Sequence, residues 1–93
     1  MCIDIENITK IINQVTGENL TPKKKWGDNG YRFYDDEKDC SIYITVDEVE
    51  DDRLIFTISK FKQDIQLANA LSLVYPNARM WVTRNECRYI EHN

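Results

Sequence analysis

Residues 39–60 read DCSIYITVDEVEDDRLIFTISK, and this stretch decides the fold. In its first half Cys40, Ile42, Ile44 and Val46 alternate with Ser41, Tyr43 and Thr45. In its second half Leu54, Phe56 and Ile58 alternate with Ile55, Thr57 and Ser59. A period of two among β-branched and aromatic residues marks strands with one buried face. Between the two runs stand Asp47, Glu48, Glu50, Asp51 and Asp52, five carboxylates in six positions. The stretch therefore predicts a β-hairpin with a strongly negative tip.

Helical periods flank the hairpin. Near the N-terminus Ile5, Ile8, Ile12 and Val15 recur at helical spacing, with Ile11 widening the stripe. Asp4 is placed to cap the first turn and Gly17 to end the helix in the left-handed conformation. Downstream, residues 63–75 place Ile65, Ala68, Leu71 and Tyr75 on one face, widened by Leu67, Ala70 and Val74, before Pro76 stops the helix. A helix this apolar is expected to be well buried. Between the first helix and the hairpin, residues 18–30 are polar and turn-rich, and Asn29–Gly30 precedes the alternating run YRFY. That pattern predicts either a tight hairpin over residues 26–34 or a loop followed by one strand. After Pro76 a strand is expected near residues 79–83, then either a turn at Asn85–Glu86 into a short strand at 87–90 or a simple continuation. The order α-β-β-β-α-β, with an optional last strand, gives one α+β domain: an antiparallel sheet with two helices on one face.

Ninety-three residues suffice for one modest core. No apolar run approaches the ~20 residues that cross a bilayer, and the N-terminus lacks an apolar leader, so no membrane role is expected. The cysteines Cys2, Cys40 and Cys87 are odd in number and widely spaced, which does not outline a disulfide framework and points to a reducing, cytoplasmic setting. Ile, Asn, Lys and Tyr, all with AT-rich codons, are abundant, as in a low-GC bacterium, its phage or a plasmid.

The net charge of −4 is unevenly spread. Residues 35–52 hold nine acids and only Lys38, whereas residues 53–93 hold six bases and three acids. The first candidate site is therefore the acidic tip, Asp47, Glu48, Glu50, Asp51 and Asp52, with Asp35, Asp36, Glu37 and Asp39 expected beside it. Carboxylates at this density imitate nucleic-acid phosphates or meet a basic protein surface. They read equally well as solvated turns that discourage edge pairing. A calcium loop does not fit, since the central Gly and closing Glu of the EF-hand pattern are missing.

A second candidate site combines Lys23, Lys24, Lys25 and Trp26 with Arg79, Arg84 and Arg88, near Tyr31, Arg32, Phe33, Tyr34 and Trp81. Cations interleaved with rings suit a phosphate backbone and stacked bases. The acidic balance of the chain argues instead for Trp26, Phe33 and Trp81 in the core, with the lysines solvating a loop. The helix–three strands–helix order resembles the double-stranded-RNA-binding domain, whose second helix opens on a basic cluster. Here that position reads Lys60, Phe61, Lys62, Gln63, Asp64, and a further strand follows. The resemblance is one of element order.

Enzymatic chemistry finds few parts. The single histidine, His92, is the penultimate residue, and the glycines Gly17, Gly27 and Gly30 fit caps and turns. The economical expectation is a small non-enzymatic protein, without cofactor or metal, that blocks or modulates one protein partner bearing a basic surface. Such a role suits a phage or mobile-element inhibitor of host defence, of the anti-CRISPR or nucleic-acid-mimic type, or an immunity protein. The alternatives are a nucleic-acid-binding module and a non-catalytic subunit of a larger complex.

Overall fold

The computed structural model describes residues 3–25, 29–37, 40–49 and 53–86. The chain opens on helix α1, Ile5–Thr16. The Asp4 carboxylate accepts a hydrogen bond from the Asn7 amide, and Gly17, at φ 74°, donates its amide to the Asn13 carbonyl. Both ends of α1 are thus set by local chemistry. Its stripe buries Ile8 and Ile12 completely, with Ile5, Ile11 and Val15 packed alongside.

Four strands follow: β1 (Thr21–Lys24), β2 (Gly30–Asp35), β3 (Cys40–Val49) and β4 (Arg53–Lys60). They form an antiparallel meander. The β3–β4 pairing confirms the hairpin, with Ile44, Val46, Leu54, Phe56 and Ile58 all buried on one face. The side chains of Cys40 and Ile42 lie outside the described residues.

Strand β1 is the element that sequence periodicity misses. It is four residues long, contains Pro22 and carries no alternating apolar pattern. An edge position tolerates the missing proline N–H, and a tertiary clamp supplies what local propensity lacks. The Asn13 side chain donates to the Leu20 carbonyl (3.1 Å) and accepts from the Leu20 amide (2.8 Å), while Leu20 itself is buried. The hairpin into β2 therefore begins upstream of residue 26, and residues 26–28 lie outside the described residues. Four strands, rather than three, precede the second helix, so the element order departs from that of the double-stranded-RNA-binding domain.

Helix α2, Asp64–Val74, carries the chain back along the sheet, so the last strand, β5 (Arg79–Glu86), joins β4 in parallel. The sheet order is β1-β2-β3-β4-β5. It is mostly antiparallel, and the one parallel pair follows from the helical crossover. Strand β5 runs unbroken through Asn85 and Glu86, so no turn interrupts it there. The expected strand at 87–90 lies outside the described residues.

Only one stripe of α2 is buried: Leu67, Ala68 and Leu71, with Tyr75 just beyond the helix approaching Phe56 ring to ring at 6.0 Å. Ile65, Val74 and above all Leu73, 86 % exposed, face away from the core. The expectation of a deeply buried helix fails because α2 lies in a single outer layer beside α1. Both helices share one core with one face of the sheet. Among the described residues the other face carries no helix, and that geometry positions the site.

Candidate binding face

The acidic residues are placed first by register. Asp35 pairs with Cys40 where β3 begins, and Val49 pairs with Arg53 where it ends. At ~3.3 Å per residue those points are roughly 30 Å apart. The two acidic runs therefore occupy opposite ends of the sheet, which corrects the expectation that they lie side by side.

At the tip end, Asp47 Oδ1 accepts from Lys25 Nζ at 2.8 Å, with both side chains largely shielded from solvent. Glu48 Oε1 accepts from Asn29 Nδ2 at 3.0 Å, and its amide donates to the Asn29 carbonyl. Two of the five tip carboxylates thus bind the β1–β2 reversal to the β3–β4 hairpin. Glu50, Asp51 and Asp52 lie outside the described residues. At the far end, Asp35 is buried and accepts from the Glu37 amide. Asp36 accepts from the Thr21 hydroxyl and faces Lys23 Nζ at 3.7 Å, while Glu37 is exposed. Asp39 lies outside the described residues.

The helix-free face is read from the same registers. Lys23 pairs with Arg32, Arg32 with Thr45, Thr45 with Thr57, and Thr57 with Trp81. These five residues form one line across all five strands. Residues paired directly across strands share a face, and the neighbours of this line (Phe33, Val46, Phe56, Met80, Val82) pack into the helical core. The line therefore points away from the helices. A second row runs parallel to it: Lys25, bonded to Gly30, then Asp47, Ile55 and Arg79.

Trp81 is 61 % exposed at the β5 end of the first row, Arg79 is exposed two residues along the same strand, and Lys23 and Arg32 are exposed toward the other end of the row. Lys23 Nζ stands 5.8 Å from the centre of the Tyr34 ring, close enough for a cation–π contact. Among the described residues no carboxylate pairs with Arg32 or Arg79. The two central positions of the row, Thr45 and Thr57, carry short side chains, with Arg32 on one side of them and Trp81 on the other.

This arrangement divides the second candidate site. Lys23, Lys25 and Arg79 share the open face. Lys24 pairs with Tyr31 on the opposite face, and Arg84 is exposed near the end of β5. Trp26 and Arg88 lie outside the described residues. Phe33 is in the core as expected, but Trp81 is not, because Met80 and Val82 take the inward positions of β5. The residues that sequence reasoning missed are Thr45, Thr57 and the role of Arg32. Their outward phase was visible in the alternation, but the parallel register that aligns them with Trp81 was not.

One further hollow, about 180 Å³, is lined by Arg53, Leu54, Val74, Tyr75, Pro76, Asn77 and Ala78. It is smaller than the ~300–1,000 Å³ of typical small-molecule sites. Among the described residues no three His, Cys, Asp or Glu side chains group to hold a metal ion, and no helix is long and apolar enough to cross a membrane. Comparison with protein-family models, with curated proteins and with solved structures gave no match.

Proposed function

We propose that this chain is a non-catalytic binding protein that engages a macromolecular partner across the helix-free face of its sheet, and modulates that partner by occupying its surface. The observation that carries the reading is Trp81, a large ring 61 % exposed on β5, two residues from Arg79 and in one row with Arg32, neither arginine meeting a carboxylate among the described residues. Exposing an indole forgoes the burial that normally stabilises it. Trp, Tyr and Arg are also the side chains that dominate the energetics of binding surfaces.

The acidic tip is the second reading, in which Glu50, Asp51 and Asp52 meet a basic surface on a protein partner. It is favoured by the density of carboxylates in the sequence there and by the anchoring of Asp47 and Glu48 to the β1–β2 reversal.

Affinity capture from the native host lysate separates the two when three tagged forms are compared: wild type, Trp81→Ala, and the triple variant Glu50→Gln/Asp51→Asn/Asp52→Asn. The sheet-face reading expects Trp81→Ala to lose the partner and the triple variant to retain it. The reverse pattern transfers the function to the tip, as an electrostatic inhibitor.

A further inference from the structure

Resting on the binding face proposed above, we infer that its ligand is single-stranded nucleic acid. The first argument is charge. The two rows carry Lys23, Lys25, Arg32 and Arg79 against one carboxylate, Asp47, which Lys25 already holds at 2.8 Å. Asp36, at the rim, faces Lys23. Arg32 and Arg79 are left to meet an anion. The acids of the helical layer, Asp4, Glu6 and Asp64, stand behind the sheet. Layer separations of ~10 Å equal about one Debye length at 0.1 M salt, so those acids only weakly oppose an anion on the open face.

The second argument is spacing. Arg32 and Arg79 are three strands and one row apart, which at ~4.8 Å per strand and ~3.3 Å per residue gives about 16 Å. Trp81 stands two residues along β5 from Arg79. A nucleic-acid strand whose phosphates touch the two arginines therefore passes over the Thr45–Thr57 pair with a base at the indole. The threonine hydroxyls offer it hydrogen bonds.

The third argument is the ring itself. An acidic peptide matches the arginines, but only its occasional aromatic side chains offer a flat face to stack on the indole. An unpaired base does, because every base has a π-face to stack. A duplex hides those faces, so single strands are preferred.

The test is fluorescence anisotropy of an end-labelled 20-nucleotide oligo-dT, its RNA counterpart and a 20-base-pair duplex, titrated with the full chain at 25 and 150 mM salt. Contacts from Arg32 and Arg79, at ~0.7 counterions released per phosphate contact, give a log–log salt slope near −1.4. Affinity should then fall about 12-fold between the two salt concentrations. Trp81→Ala should weaken binding about 5- to 150-fold, the range for loss of one stacked base, with Trp81→Phe recovering part of it. Arg32→Ala and Arg79→Ala should each flatten the slope by ~0.7. Leu73→Gln, on the helical side, should leave affinity unchanged.

No anisotropy change at 25 mM salt with protein at about a hundred micromolar overturns the inference, as does binding indifferent to Trp81→Ala. Binding of a poly-glutamate peptide in place of every oligonucleotide overturns it too. If oligonucleotides fail while Trp81-dependent capture of a protein persists, the binding face stands and only the nucleic-acid ligand falls.

Discussion

Replacing Gly30 with Ala tests the register on which the whole open face depends. Gly30 is buried and lies directly opposite Asp47. A methyl group built there would stand 2.6 Å from the Val46 carbonyl oxygen and would overlap the Asp47 carboxylate. Ordinary contact begins at 3.4 Å, so about 0.8 Å must be found. The Asp47 side chain can swing away, but only by leaving Lys25. The Val46 oxygen belongs to the backbone of β3, so relieving that contact means moving the β2 and β3 backbones apart. Overpacking of this kind costs ~1–3 kcal/mol. Against it, Ala restricts the unfolded chain and gains ~0.5–1 kcal/mol. The steric term wins, leaving a net loss of about 1–2 kcal/mol, or roughly 5–15 °C in Tm for a domain of this size. Thermal unfolding followed by circular dichroism measures it, with Asp47→Ala and Gly30→Ala/Asp47→Ala alongside. Because the backbone contact survives removal of the carboxylate, the double variant should still melt below Asp47→Ala alone. A Gly30→Ala protein that melts at or above wild type would refute the Gly30–Asp47 register, and the rows built outward from it would go with it.

Two further substitutions probe the contacts that hold the sheet's polar edge. Asn13→Ala removes both hydrogen bonds that clamp Leu20 and leaves its amide without that partner; it should cost ~1–3 kcal/mol in chemical denaturation, and Asn13→Asp should recover only part of this, since a carboxylate can accept from the Leu20 amide but repels its carbonyl. Lys25→Met keeps the aliphatic stem but strips Asp47 of its 2.8 Å partner; the pair is neither fully buried nor fully exposed, so a loss of about 1–2 kcal/mol, between the surface and interior limits, is expected, with equal stability of the two proteins as the contrary result.

What the sequence disclosed follows the range of the interactions involved. The ends of α1 were legible because Asp4 and Gly17 act within one turn of themselves. The β3–β4 hairpin was legible because its two strands carry complementary alternation across a short turn. Strand β1 was hidden because its cause, the Asn13 clamp on Leu20, reaches across seven residues and leaves no periodic trace. The burial of α2 was overestimated because periodicity counts apolar residues without knowing how many layers surround them; Leu73 has the right residue type and no neighbouring layer. The open face was half legible: the outward phase of Thr45 and Thr57 was apparent, yet its alignment with Trp81 required knowing that β5 runs parallel to β4.

Folding also changes what the charge pattern means. Along the chain two acidic runs, residues 35–39 and 47–52, are separated by the uncharged stretch 40–46, and basic residues stand on either side of them. In the sheet residues 35–52 become β3 and its two turns, flanked on one side by β1 and β2 and on the other by β4 and β5. Lys25 reaches Asp47, Lys23 faces Asp36, Arg53 is registered beside Val49, and Arg79 lies two strands from Asp47. The strand order thus interleaves the charges that the sequence separates, which offsets the self-repulsion of the carboxylates. On the open face the four cations are offset by Asp36 and Asp47, so long-range steering is weak there and recognition must come from a group that works at contact. Among the exposed large apolar side chains of the described residues, Ile65, Leu73 and Val74 belong to the helical layer, and Trp81 stands on the open face two residues from Arg79. That is why the proposed binding face rests on the indole rather than on the carboxylate count.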